Sequence, residues 1–427
     1  MRARQALELA RTRERAELAR SLAGIADHRH ELDEQRAAVA AEHAGALVPD
    51  LLTLTAGRDF ARFEDELCAR IGALTFTLAN LPGEVHASPG DVFDALVTAA
   101  ADTVREALGR QDGEPDAWRA PWTLLTALAR TAVEPFEQRA QDAIGKLRRH
   151  RGAGVLPAQP PAAEPTGPAQ WTRDAYGSRF AVVAPFSAPD GTERWYLWDV
   201  DTCFGEPFTV HSGYFAGPRE ALAEWTAAVG PEAAGDGELT PVDHPDLLSD
   251  LLPAELGIMR LGGEDAAQFA EYHRAKRLAE ELLARRPGSG SAADGPAQPP
   301  TVLDPAECTE RFTARLAERT GRPLPPSQVE AAEVLVHDWL RNGIAELQAT
   351  CSPHRVALFA DMTRDFYDAA FAQRMLGLLP DWISWLAGYL GLPDALAERC
   401  QPYAAGGRHP CHEHDGRGLN VLLRVAE

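Results

Sequence analysis

The sequence predicts a mostly α-helical protein with a small α+β module at its middle. Three observations carry that expectation. Apolar residues recur at three- and four-residue steps across residues 1–151 and again across 302–427, the spacing of helices with one buried face. Between them the pattern changes to short apolar and aromatic runs around a Pro-Asp-Gly turn, as in hairpin-connected strands. Residues 152–170 and 286–301 are rich in Pro, Gly, Ala and Ser. With so few large apolar groups they cannot offset their ordering entropy and read as flexible linkers. The expected organisation is a helical N-terminal bundle (1–151), a linker (152–170), a small α+β module plus a helix (171–285), a second linker (286–301) and a helical C-terminal domain (302–427).

In the N-terminal segment, Leu18, Ile25, Leu32, Val39 and Ala46 recur every seven residues. The companion row, Leu22, Arg29, Arg36 and His43, is mostly polar, which favours an amphipathic helix in a bundle over a two-stranded coiled coil. Phe60, Phe63, Leu67 and Ile71 mark a second helix. Ser88-Pro89-Gly90-Asp91 offers a side-chain cap with proline at the first helical position, opening a helix through Val92, Leu96 and Val104. Trp118 and Trp122 lead into a last helix ending near His150.

In the middle segment, Arg179–Pro185, Arg194–Val200 and the surroundings of Phe208–Val210 read as strands. Pro218 then opens a helix with Ala221, Leu222, Trp225 and Val229 on one face, completing an antiparallel β-β-β-α unit. Residues 264–285 form a further helix, with Glu281 and Arg285 at i,i+4 spacing. Trp195 and Trp198 point to opposite faces of their strand, so at least one needs cover from beyond its own sheet. Another domain or a partner is expected to supply it.

In the C-terminal segment, Ser327-Gln-Val-Glu330 reads as a capping box, starting a helix with Val329, Val336, Trp339 and Leu340 inward. Leu358, Phe359, Met362 and Phe366 line the next helix. Pro380 and Asp381 start a third, in which Trp382, Trp385, Leu386 and Tyr389 repeat at three- and four-residue steps.

Composition removes several function classes. The 427 residues carry 63 acidic and 42 basic side chains, a net charge of -21, and are 45% hydrophobic, ordinary for a globular chain. Ten acidic groups and a single base, Arg219, fall within residues 201–250, a segment that would repel a phosphate backbone. Lys146, Arg148, Arg149, His150 and Arg151 form the local basic cluster, read either as phosphate contacts or as charges matched to a helix C-terminus. Only Lys146 and Lys276 are lysines, so the arginine excess reads as high-GC codon usage. The apolar stretch Leu376–Leu392 contains Pro380 and Asp381 and is too short for a membrane span. The start interleaves Arg with Glu, unlike a secretory signal. Six scattered cysteines without a C-x-x-C fit reduced thiols. A cytoplasmic protein with no membrane partner is expected.

The metal candidates are Cys351-Ser-Pro-His354 and Cys411-His-Glu-His414, two C-x-x-H pairs with the ligand types of a tetrahedral Cys2His2 zinc site. The 56 residues between the pairs exceed the dozen or so of a compact finger. The alternative is a buried thiol and a polar tail rich in histidine, and His409 and His412 offer substitute ligands. Asp199-Val-Asp201 has the form of the cation-binding DxD of glycosyltransferases, but no nucleotide-binding α/β half surrounds it, so it reads as two strand-end aspartates. Asp361, Asp365 and Asp368 with Arg364, the pair Glu333 and His337, and His28-Arg29-His30 read as solvated helix faces. There is no phosphate-binding P-loop, dinucleotide fingerprint, nucleophile elbow, H-E-x-x-H or kinase signature.

At SRFAVVAPF, WYLWDVD and SGYFAGPREALAEWTAAVG, the chain resembles actinobacterial mobile-element-type proteins, mainly across residues 178–230. The same strand-hairpin-helix layout is similar in outline to HicB-type antitoxin modules. The shared residues are structural, so the resemblance implies no activity. The expected function is that of a non-enzymatic interaction or scaffold protein that binds another protein and needs no cofactor. The alternatives are a zinc-binding regulatory or nucleic-acid-associated protein of a mobile element, and an enzyme whose site is assembled from distant residues.

Overall fold

The computed structural model describes residues 2–55, 60–81, 85–110, 116–150, 153–203, 207–242, 245–252, 265–285, 303–341 and 349–407. They form two compact units, one running to Pro160 and one beginning at Pro161.

The first unit holds α1 (Arg2–Leu54), α2 (Phe60–Ala79), α3 (Pro89–Gly109), α4 (Arg119–Thr131) and α5 (Phe136–Arg148). The buried stripe of α1 is Ala40, Ala44, Val48 and Leu51. Leu32 and Val39 of the seven-residue row are half-buried but Ala46 is exposed, because a straight helix repeats every 3.6 residues and drifts off a heptad. The stripe shares one core with Phe63 and Leu67 of α2, Val92 and Leu96 of α3, Trp122 of α4 and Ile144 of α5. Ser88 caps α3 as expected: its Oγ accepts from Asp91 N at 3.1 Å, and Asp91 Oδ2 accepts from Ser88 N at 2.8 Å. A Cβ at Gly90 would run into the Phe136 ring, so glycine is what lets α5 approach the start of α3. The single helix expected from Trp118 to His150 is instead α4 and α5. Pro135 has no N–H to give and disfavours helical backbone at Glu134, which breaks the run.

The second unit contains an antiparallel sheet of order β4-β3-β2-β1-β5, built from β1 (Gln170–Arg173), β2 (Arg179–Ser187), β3 (Glu193–Asp201), β4 (Phe208–Phe215) and β5 (Thr240–Pro241). Asp190 and Gly191, at a φ of +84°, turn β2 into β3. The period of two sorts the side chains onto two faces. Ala181, Val183 and Leu197 pack on Ala221 and Trp225 of α6 (Pro218–Val229) and on Ala234 of α7 (Pro231–Ala234). Phe180, Val182, Tyr196, Trp198 and Val200 face Leu247, Leu248 and Leu251 of α8 (Pro245–Leu251) and Ala275, Leu278 and Leu282 of α9 (Ala266–Ala284). The cover expected for Trp198 from another domain or a partner is thus supplied by the module's own helices, and its Nε1 donates to Ala275 O at 2.9 Å. Glu281 pairs with Arg277 rather than Arg285, which reaches Glu164.

The second half of the stretch read as linker 152–170 belongs to this sheet. Thr166 N donates to Pro185 O and Ser187 N to Glu164 O, each at 2.9 Å, and Ala163 and Ala169 are buried. An edge position tolerates the prolines that make the sequence look like a linker. The stretch 286–301 lies outside the described residues.

The remaining helices are α10 (Pro305–Thr320), α11 (Pro326–Trp339), α12 (Pro353–Phe366), α13 (Ala369–Leu390) and α14 (Asp394–Ala404). Phe312, Trp339, Trp382 and Leu386 centre their core, which also takes in Tyr176 and Ala233 from the sheet module. Three expectations change here. Pro325 rather than Ser327 precedes α11, and no side chain caps it. Pro380 lies inside α13, whose N-cap is Asp368. On α12 the inward face is Arg355, Val356, Ala357, Leu358, Ala360 and Thr363; of the expected row, Leu358 is buried and Phe359 packs on Trp339, while Met362 and Phe366 are exposed. The buried guanidinium of Arg355 rotates the helix: it bonds Thr350 Oγ1 and Trp339 O and lies 4.9 Å from the Trp339 ring centroid. Among the described residues, no helix is long and apolar enough to cross a membrane.

Candidate functional site

The last residues of β3 and the first residues of α12 meet in one buried polar cluster. Asp201 ends β3 on the same face as Asp199, two residues before it. Its Oδ1 accepts from the backbone N of Cys203 at 2.7 Å, a short-range turn that swings the cysteine round beside the carboxylate. Thr202 is pinned between them, its N and Oγ1 both donating to Ser178 O at 3.0 Å. From the other side, Ser352 caps α12 by accepting from Arg355 N at 3.2 Å. Pro353 starts the helix, and His354 follows in its first turn.

Three ligand-type side chains converge as a result. His354 Nδ1 lies 3.2 Å from Asp201 Oδ2, and Cys203 Sγ lies 3.3 Å from Ser352 Oγ. Ligand-type atoms of Asp201, Cys203 and His354 all fall within 4.8 Å of one another. Among the described residues this is the one group of three or more His, Cys, Asp or Glu side chains so arranged. Asp201 and Cys203 are buried and His354 is partly exposed.

Behind the cluster sits a second polar layer. Asp199 is fully buried and takes both prongs of the Arg179 guanidinium, at 2.6 and 2.7 Å. Asp174 accepts from the N–H groups of Ser178 and Arg179 at 2.8 and 3.0 Å. Burial pushes the Asp174 carboxyl up to about 7 against those hydrogen bonds, and the Asp201 charge adds to the rise. Burial also raises Asp201, but the His354 hydrogen bond and charge and the Arg179 charge outweigh it and hold the group below the ordinary carboxylate range. The Cys203 thiol is pushed up, first by burial and then by Asp201. A carboxylate beside a thiol is the reverse of the electropositive setting that activates a nucleophilic cysteine. It suits a cation held between them.

The fold separates the residues that the sequence groups. His354 meets Asp201, whereas Cys351 Sγ turns to Cys400 Sγ at 3.9 Å. Cys411 and His414 lie outside the described residues, as do His409 and His412. Of the DxD pair, Asp199 is committed to Arg179 and Asp201 to the cluster. Lys146 and Arg148 occupy the last turn of α5 and Arg149 is its C-cap. Arg148 lies 5.8 Å from the Trp122 ring centroid, a place matched to the helix dipole; Arg151 is outside the described residues. Asp361 and Asp365 stay on the outer side of α12.

Sequence reasoning missed Cys203. The usable signal is Asp201-Thr-Cys203, two ligand types spaced by two at the end of an apolar strand, and it is too short to stand out alone. No family model, no curated protein and no solved structure matches the chain.

Proposed function

We propose that this chain is a zinc-binding protein in which Asp201, Cys203 and His354 hold one Zn2+ and join the end of β3 to the start of α12. The observation that carries the reading is the convergence of three ligand-type atoms within 4.8 Å, from positions about 150 residues apart in sequence. Tetrahedral zinc sets its ligand atoms about 3.3–3.6 Å from one another, so closing the group on a metal takes at most small side-chain rotations. Carboxylate, thiolate and imidazole together suit zinc and disfavour magnesium and calcium, which take oxygen ligands. The Asp201 carboxylate and a Cys203 thiolate balance its charge.

Three protein ligands leave one tetrahedral position for water or a bound group, the pattern of catalytic zinc rather than of closed structural sites. A zinc held by Asp201, Cys203 and His354 would there supply a Lewis acid able to polarise a carbonyl or activate a water. A non-enzymatic interaction role has separate support: Phe366 is 75% exposed, and Met362, one turn earlier on α12, is 43% exposed. Such an apolar pair is the kind of surface that a partner protein covers. The two readings are compatible, because the zinc would fix the helix that presents the pair.

Metal analysis of protein purified without a histidine tag tests the site. One zinc per chain is expected, lost in Cys203→Ala and in His354→Ala and retained in Cys351→Ala, with circular dichroism confirming that each variant folds. Wild-type protein without stoichiometric zinc, or zinc that depends on Cys351 and not on Cys203, would overturn the proposal.

A further inference from the structure

Two thirds of the way down α14, Cys400 faces Cys351, the residue before the cap of α12. Both thiols are fully buried, and their sulfur atoms lie 3.9 Å apart. Their other contacts are weak ones to carbonyl oxygens: Cys400 Sγ lies 3.7 Å from Leu396 O and 3.9 Å from Cys351 O. The remaining described cysteines are placed otherwise. Cys68 is in α2, Cys308 is in α10, and Cys203 Sγ faces the Ser352 hydroxyl.

We infer that Cys351 and Cys400 are a dithiol–disulfide pair, a modification site whose oxidation ties α14 to the start of α12. A disulfide needs its sulfurs about 2.05 Å apart, so the pair must close by roughly 2 Å, within reach of side-chain rotation and a small shift of the 11-residue helix α14. The oxidant is a peroxide. One thiol takes an oxygen from hydrogen peroxide, becoming a sulfenic acid and releasing water. The second sulfur then attacks the sulfenic sulfur, forming the S–S bond and expelling a second water. Two thiols and one peroxide thus give one disulfide and two waters. Because both sulfurs are buried, the reaction waits on local opening of α14 and is slower than at an exposed thiol.

This inference rests on the thiol geometry and not on the zinc reading, so chelator-treated, metal-free protein serves for the test. The folded full-length chain is incubated with hydrogen peroxide, then denatured, alkylated and digested without reduction. Trypsin cuts after Arg341, Arg355, Arg399 and Arg408, which places the two cysteines in peptides 342–355 and 400–408. The expected result is a disulfide-linked pair of these peptides that dithiothreitol separates, with free thiols falling from six to four per chain. Full alkylation of Cys351 and Cys400 after peroxide exposure would overturn the inference, and so would a linkage through Cys203 as the main product. Wild-type protein carries the whole test, so no outcome depends on a variant folding.

Discussion

Stripping the metal with a chelator is expected to lower the thermal unfolding midpoint of the second unit by about 10 °C. The size follows from linkage: an ion bound only by the folded form, at a thousand times its dissociation constant, contributes about 4 kcal/mol. In a unit of this size each kcal/mol moves the midpoint by about 2–4 °C. Asp201 and His354 are 153 positions apart in sequence, so unfolding the unit necessarily dismantles the site. The loss is partial rather than complete, since the Asp201–His354 contact and the Arg355 anchor remain without metal. Differential scanning calorimetry with and without chelator makes the comparison. Re-addition of zinc should restore the midpoint, and magnesium should not, because it rejects the thiolate.

The largest effect of a single substitution is expected in the first unit. Arg130→Met should cost about 3–5 kcal/mol, read as a shift in the urea midpoint. Arg130 Nε lies 2.9 Å from Glu64 Oε2, with the two side chains 5% and 6% exposed, and the guanidinium also lies 5.6 Å from the Phe60 ring centroid. Removing the cation leaves a carboxylate in a site with little water to screen it. The double variant Glu64→Gln, Arg130→Met should recover most of the loss, because two neutral side chains are then buried in place of a carboxylate that has lost its arginine. A single-variant loss near that of an exposed ion pair, below about 1 kcal/mol, would show that solvent reaches the pair.

Much of the architecture was legible from local rules. The cap at Ser88 depends on four adjacent residues and formed as read. The hairpin through Asp190 and Gly191 needed only its turn and two apolar runs. Where expectation and structure differ, a contact distant in sequence decided. Of the apolar row Leu358, Phe359, Met362 and Phe366, the first two pack inward, yet Arg355 bonds Trp339 O and Met362 and Phe366 face outward, and no pattern within α12 reveals that. Trp198 asked for a cover, and periodicity could not say that α9 would provide it. Pro135 was the exception, a local break sitting inside an otherwise continuous helical pattern.

The candidate site divides the same way. The C-x-x-H spacing singled out His354 but grouped it with Cys351. Chelation by residues three apart needs a turn or helix across all four positions. Here Ser352 is extended, with φ -122° and ψ 158°, so Cys351 and His354 leave the backbone in different directions. One goes to Cys400 and the other to Asp201. Cys203 carried only the short Asp201-Thr-Cys203 spacing, because its other partners, Ser352 and His354, arrive from the start of α12 through tertiary packing.

X-ray absorption at the zinc edge, on protein purified with its native metal, tests the proposed site most directly. The arrangement predicts one sulfur at about 2.3 Å with nitrogen and oxygen neighbours at about 2.0–2.2 Å. A shell of two sulfurs and two nitrogens, as the ligand set Cys351, His354, Cys411 and His414 would give, would contradict it.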